Sequence, residues 1–238
     1  MYLNLNKPFE TLITSNNLKS PDRWYPKPVD FYKFAINVSG DIDECKRLRS
    51  NFAYSMQYIE YIEKQLSELI LSDVIITMLY KSYIITSMSI IEALFVNLLH
   101  RTNNWNTTIW EEYSTIKSNP KKVDEANIMI ETRLFQQVDE YNMRMDLDSM
   151  IKKVEKKNLI SIDHNAFPAL KKLRELRNRV HLQIGNGPYD HDYNCFGFGE
   201  MQMMRRILYT ILASPEFCNN ADAFNFIKEN FTTRGGTL

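Results

Sequence analysis

From Asp41 to about Leu71 the apolar residues Ile42, Cys45, Leu48, Phe52, Met56, Ile59, Ile62 and Leu66 recur every three or four positions with charged residues between them. That spacing predicts a long amphipathic helix. Ser72-Asp73 supplies an N-cap for a second helix reaching about His100, with Ile75, Leu79, Tyr83, Met88, Ile91, Phe95 and Leu98 on its apolar side. So short a joint predicts antiparallel neighbours. Asn103-Asn104-Trp105-Asn106 ends the pair, and further helices are expected over about Lys121–Tyr141, Leu147–Lys157 and Ala166–Leu182. The last of these tolerates Pro168 in its first turn and is stopped by Gly185-Asn186-Gly187-Pro188. Residues 189–199 read as irregular, and Glu200–Ala213 and Ala221–Phe231 return to helical spacing.

Residues 1–40, with Pro8, Pro21, Pro26 and Pro28 among several aromatics, read as an irregular arm, and 232–238 as a frayed tail. One main domain is expected over 41–231. Internal repeats, a Gly-rich phosphate loop and alternation of strand and helix are all missing from the sequence. The expected fold class is therefore all-α.

Composition narrows the function. The 238 residues carry 29 Lys and Arg against 29 Asp and Glu, so no global field marks a nucleic-acid binder and any such role needs a local patch. Residues 151–182 are such a patch, with nine Lys and Arg against Glu155, Asp163 and Glu175, a local excess of +6. Cys45, Cys195 and Cys218 are far apart and odd in number, with neither a Cys-x-x-Cys pair nor a zinc spacing. A reduced, cytoplasmic setting fits, and the N-terminus shows no secretion signal. Asp73, Lys81 and Glu92 interrupt the apolar run from Leu69 to Leu99, which reads as a buried core helix and not as a membrane span.

On a helical wheel centred on Leu173, Ala166, Ala169, Leu170, Leu176 and Val180 form a core stripe. Arg177, His181, Arg174 and Asn178 fall at about 40° to 140° from its centre. Arg177 and His181 then sit partly desolvated at the core edge, where an unpaired guanidinium or imidazole is costly and a partner is required. Lys171, Lys172, Glu175 and Arg179 point further round, into solvent. An Arg beside a His is a workable minimum for cleaving RNA without a metal. The His moves a proton at the ribose 2′-hydroxyl or the leaving oxygen, and the Arg stabilises charge on the phosphorane. In-line transfer wants an acid and a base while one helix offers one His, so the chemistry favours a dimer.

The phrase Leu170-Lys-Lys-Leu-Arg-Glu-Leu-Arg-Asn-Arg-Val-His181 resembles the signature helix of the HEPN superfamily, Leu-x-x-Leu-Arg-x-Leu-Arg-Asn followed shortly by His. Ser87-Met-Ser-Ile-Ile-Glu92-Ala-Leu-Phe is similar to the family's second long helix with its inward acid. The resemblance implies an up-and-down helical bundle that dimerises along the Arg- and His-bearing helix. It also implies a metal-independent endoribonuclease of defence or toxin–antitoxin type, with RNA as substrate, no cofactor, and an antitoxin or regulatory protein as a further partner. Arg177 becomes the phosphate-stabilising Arg, Asn178 its polar neighbour, His181 the catalytic His and Glu92 a supporting acid. Only three residues separate Arg177 from His181, fewer than the usual family spacing, whereas counting from Arg174 gives a spacing within the pattern. Both arginines stay candidates, and so does a non-catalytic RNA-, nucleotide- or protein-binding module. His191 reads as a loop residue, and Tyr54, Tyr58 and Tyr61, with Met201, Met203 and Met204, as core or dimer packing.

Overall fold

The computed structural model describes residues 26–180 and 187–228. Pro28 leads into α1 (Val29–Ala35), which forms within the segment expected to be irregular, and Ile36 then bridges to Cys218. Asp41 caps α2 (Ile42–Glu68), its carboxylate accepting from the amides of Asp43 and Glu44, which satisfies two of the donors a helix start leaves open. After a short joint, α3 (Asp73–Arg101) runs back along it. Both lie close to their expected bounds. α3 is long and apolar enough to cross a bilayer, but 56% of its most apolar window is buried inside the protein, as in a core helix.

The chain then departs from the all-α expectation. Between α3 and α4 lie four strands in two antiparallel two-stranded sheets: β1 (Thr107–Lys117) with β4 (Glu131–Asn142), and β2 (Lys121–Val123) with β3 (Ala126–Ile128). The protein is mixed α and β, not an all-α up-and-down bundle, and the helix expected over Lys121–Tyr141 does not exist. The cause is local. Seven of the eleven residues of β1 are Thr, Ile, Trp or Tyr, types that lose side-chain freedom in a helix and fit a pleated strand. Asp124 and Glu125 take φ values of 47° and 67°, the paired positive angles of a tight hairpin turn. The two sheets are nested into one ribbon, bridged where the Ser118 amide donates to the Ile130 carbonyl at 2.9 Å. Its feet are closed by the Met143 amide donating to the Asn106 carbonyl at 2.8 Å and by the Trp105 indole donating to the Met143 carbonyl at 2.8 Å.

Asp146 then caps α4 (Leu147–Lys157), which stops at Asn158 in the left-handed region. α5 (Ala166–Arg177) packs against α3, α4 and α7 and continues into a single 3-10 turn at Asn178–Val180. α6 (Asp192–Cys195) and α7 (Phe198–Leu212) follow, and a 3-10 turn at Ala221–Phe224 packs Phe224 edge-on against Phe52. The core is one continuous cluster drawn from α1 to α5, α7 and the C-terminal turn.

One ion pair lies inside that core. Arg205 on α7 donates from Nε to Glu63 Oε1 at 2.7 Å and from a terminal nitrogen to Oε2 at 2.6 Å, with side-chain exposures of 1% and 5%. Tyr83 on α3 is fully buried beside it, and its phenol is pushed well above the ordinary value by burial and then by the Glu63 carboxylate, so the ring stays neutral. Met201 and Met204 are in the core as expected, whereas Tyr54, Tyr58 and Tyr61 are 57, 44 and 41% exposed on α2. Breaking a buried pair strands a charge, whereas replacing both partners removes two desolvation penalties together. Arg205→Ala is therefore expected to lower unfolding stability by about 3–5 kcal/mol and the double replacement Glu63→Leu with Arg205→Met by about 1 kcal/mol or less, read from urea denaturation.

Candidate functional site

The C-terminal end of α5 presents Arg174 and Arg177 on successive turns, and each meets a carboxylate from another helix. Arg177 donates to Glu92 Oε2 on α3 at 2.7 Å, with about one third of each side chain exposed (33% and 28%). Arg174 reaches Asp148 Oδ1 at the start of α4 at 3.3 Å and the neighbouring Glu175 at 3.7 Å. The partner demanded by Arg177's place at the core edge is thus Glu92. Glu92 itself projects from an otherwise apolar stretch of α3 and is only half-buried, so both charges keep contact with water. Asn178 is the C-cap residue of α5, its amide donating to the carbonyl of Arg174. His181, the remaining candidate, lies outside the described residues.

Arg179 does not follow the wheel. The backbone leaves α-helical geometry there, with φ −82° and ψ 21°, and the side chain turns inward to 20% exposure and meets Asp190 Oδ1 at 2.6 Å. The hydrogen bond it donates to the Asp190 carboxylate raises the pKa of its guanidinium above the ordinary arginine value. Asp192 stands 4.0 Å from the Arg179 Nε and accepts from Lys81 Nζ of α3 at 2.7 Å. Lys81 is buried, with its ammonium 5.7 Å from the centre of the Phe196 ring. A chain of four alternating charges, Lys81, Asp192, Arg179 and Asp190, therefore fastens the segment after α5 to α3 and α6. Three of these residues were individually unremarkable in the sequence. The signal present was Lys81 inside an apolar helix, where an ammonium requires a carboxylate partner.

The described histidines lie outside the four-charge chain, whereas the Cys195 thiol touches it, donating to Asp190 Oδ1 at 3.7 Å. His191 is the N-cap residue of α6, its Nε2 3.3 Å from the Asn194 amide nitrogen. Cys195 has its thiol pushed up by burial, which lowers its thiolate fraction. His100 stacks on Trp105 at 4.3 Å between ring centroids, and His164 sits 3.4 Å from Glu155. Among the described residues no group of three or more His, Cys, Asp or Glu side chains is placed to hold a metal ion.

No family model, curated protein or solved structure matches this chain.

Geometry ranks the two ion pairs at this end of the molecule. Glu92→Gln breaks a half-solvated pair and is expected to cost about 1 kcal/mol of stability. Asp192→Asn leaves the buried Lys81 ammonium without its counter-charge and is expected to cost about 3 kcal/mol. Urea midpoints of the two variants, measured side by side, check the order.

Proposed function

We propose that the chain is a metal-independent endoribonuclease of defence or toxin–antitoxin type, related to the HEPN superfamily, acting on RNA as a pair of copies with Arg177 and His181 at its centre. The observation that carries this reading is the Arg177 guanidinium: it is fixed at 2.7 Å by Glu92 at the mouth of α5, four positions before His181, and keeps one third of its surface open to water. A cation preset in this way needs little reorganisation to meet a phosphate. Glu92 then acts as a positioning residue that holds the fork, while Asn178 and the Lys81–Asp192–Arg179–Asp190 chain fix the backbone that leads to His181.

In the reaction, the ribose 2′-oxygen attacks the adjacent phosphorus, the bond from phosphorus to the 5′-oxygen breaks, and a 2′,3′-cyclic phosphate and a 5′-hydroxyl result. One His takes the 2′-hydroxyl proton and a second delivers a proton to the leaving oxygen. Each chain carries one His at this position, so two copies across a twofold axis supply both roles. Arg177, with Arg174 as the alternative, meets the charge that builds on the phosphorane.

A second reading has its own support. Arg174 and Arg177 both already face carboxylates, which reduces their power to stabilise the charge that builds on a phosphorane and suits a module that binds RNA, a nucleotide or a protein without cutting.

The two readings separate in one assay, RNA incubated with purified protein in EDTA. The endoribonuclease reading expects cleavage by the wild type, a loss of about a hundredfold or more in His181→Ala and Arg177→Ala, and unchanged far-ultraviolet dichroism. Cleavage unaffected by His181→Ala sinks it. RNA that is bound with a steep salt dependence and left intact selects the binding module.

A further inference from the structure

Among the described residues, the β-ribbon is a large feature to which the candidate site gives no role. β1 packs on β4 and β2 on β3, away from the helices, and the ribbon's large side chains face solvent on both sides: Trp110 is 51% exposed, Tyr113 70%, Ile116 58%, Ile130 68% and Phe135 55%. A two-stranded ribbon is at best marginally stable in water and gains independent stability when a face is covered. Exposed aromatic and branched residues on an unpaired strand edge are also a liability that proteins manage by occupying it.

Charge decides the occupant. Residues 107–142 hold seven acidic and four basic side chains, a net −3, in a chain whose total is zero, so the remainder carries +3. The charge within the ribbon is polarised. Glu111, Glu112, Asp139 and Glu140 all lie in the half nearest the feet, and that half, 107–113 with 135–142, contains no Lys or Arg. RNA is thereby disfavoured. The feet themselves stand beside α4, where Lys153 Nζ donates to the Asn106 side chain; α4 exposes Lys156 and Lys157 beyond it, while Lys152 pairs with Asp148 of the same helix at 2.6 Å. The chain therefore carries an acidic, aromatic arm next to a lysine face. A twofold axis beside the feet places the acidic half of each arm against the α4 lysines of the other copy.

We infer that this ribbon is a dimerisation arm whose occupant is a second copy of the same chain, docked on the lysine face of α4. The size suits a weak, salt-sensitive pair. The acidic half, seven residues of β1, spans roughly 23 Å and two strands are about 10 Å wide, so its face covers on the order of 230 Å². Two reciprocal contacts, counted on both partners, bury on the order of 900 Å², the size of a reversible association. The inference does not depend on RNA chemistry, because it is read as molecular mass.

The test is sedimentation of the full chain at about 50 μM, in about 50 mM and about 500 mM salt. A dimer weakened by salt is expected, and a wild type that stays monomeric at low salt overturns the proposal. Replacing 107–142 with a short Gly-Ser linker joins feet already in hydrogen-bond contact and is expected to give a monomer with its helical dichroism retained; a folded dimer without the ribbon also overturns it. A charge swap keeps the proposal falsifiable should the deletion fail to fold. Glu111→Lys with Glu112→Lys, and separately Lys156→Glu with Lys157→Glu, are each expected to weaken the dimer at least about tenfold. An equal mixture of the two is expected to restore it as a heterodimer, since both reciprocal contacts become attractive again. Absence of that rescue, or dimers indifferent to both swaps, refutes the docking.

Discussion

The Arg205 guanidinium is 1% exposed and lies in bidentate contact with Glu63, linking α7 to α2 directly beneath Tyr83 of α3. Apolar packing among these helices is tolerant of sliding, because hydrophobic burial is non-directional. A planar fork against a carboxylate is not tolerant, since both hydrogen bonds are lost by a small shift in register. The antiparallel α2–α3 pair and the α7 that covers it are therefore fixed relative to each other at one point. The position of Glu92, further along α3, follows from that registration, and so does the place where α5 brings Arg177 to meet it.

Around the C-terminal end of α5 each cation is met by an acid from a different element: Arg177 by α3, Arg174 by α4, and Arg179 by the segment leading into α6. The local excess of +6 counted along the sequence is therefore not a bare basic patch. Much of it is neutralised across the interfaces of the fold, with Lys171 on Glu155 and Lys172 on Glu200 as well. What distinguishes Arg177 is its exposure. Arg205 is sealed and structural, Arg179 is largely enclosed, and Arg177 combines a fixed geometry with access to solvent, the combination a phosphate-binding group needs.

The helices were legible where one face is buried and one is wet. α2, α4 and α7 have that periodicity, and Asp41 and Asp146 mark their starts by side-chain capping that a sequence displays directly. Other features depend on contacts between residues far apart in the chain. Glu63 occupies a core-facing position that looked like one more charge on an amphipathic helix, and its partner stands 142 residues away. A continuous 100° step puts Arg179 in solvent, and the 3-10 turn at Asn178–Val180 breaks that step. The pairing of Glu92 with an Arg on α5 was foreseeable because a carboxylate within an apolar run needs a cation, and the basic stretch around Arg174 and Arg177 supplies them.

The ribbon escaped for a related reason. A strand is recognised by alternation when one face is buried, but this ribbon buries neither face against the helices, so its hydrophobic residues are not sorted to one side. Irregularities in register between Thr108 and Trp110 and between Glu112 and Ser114 also break the period of two. What remained was residue preference, rich in Thr, Ile, Trp and Tyr, against a weak helical pattern in the second half. Preference was the better guide. The same unsorted exposure that hid the ribbon from pattern reading is what argues that it is not finished as an isolated element. A sequence that places aromatic side chains on both faces of a two-stranded arm, closes its feet with hydrogen bonds and keeps every base out of the half nearest those feet specifies contacts the single chain does not make.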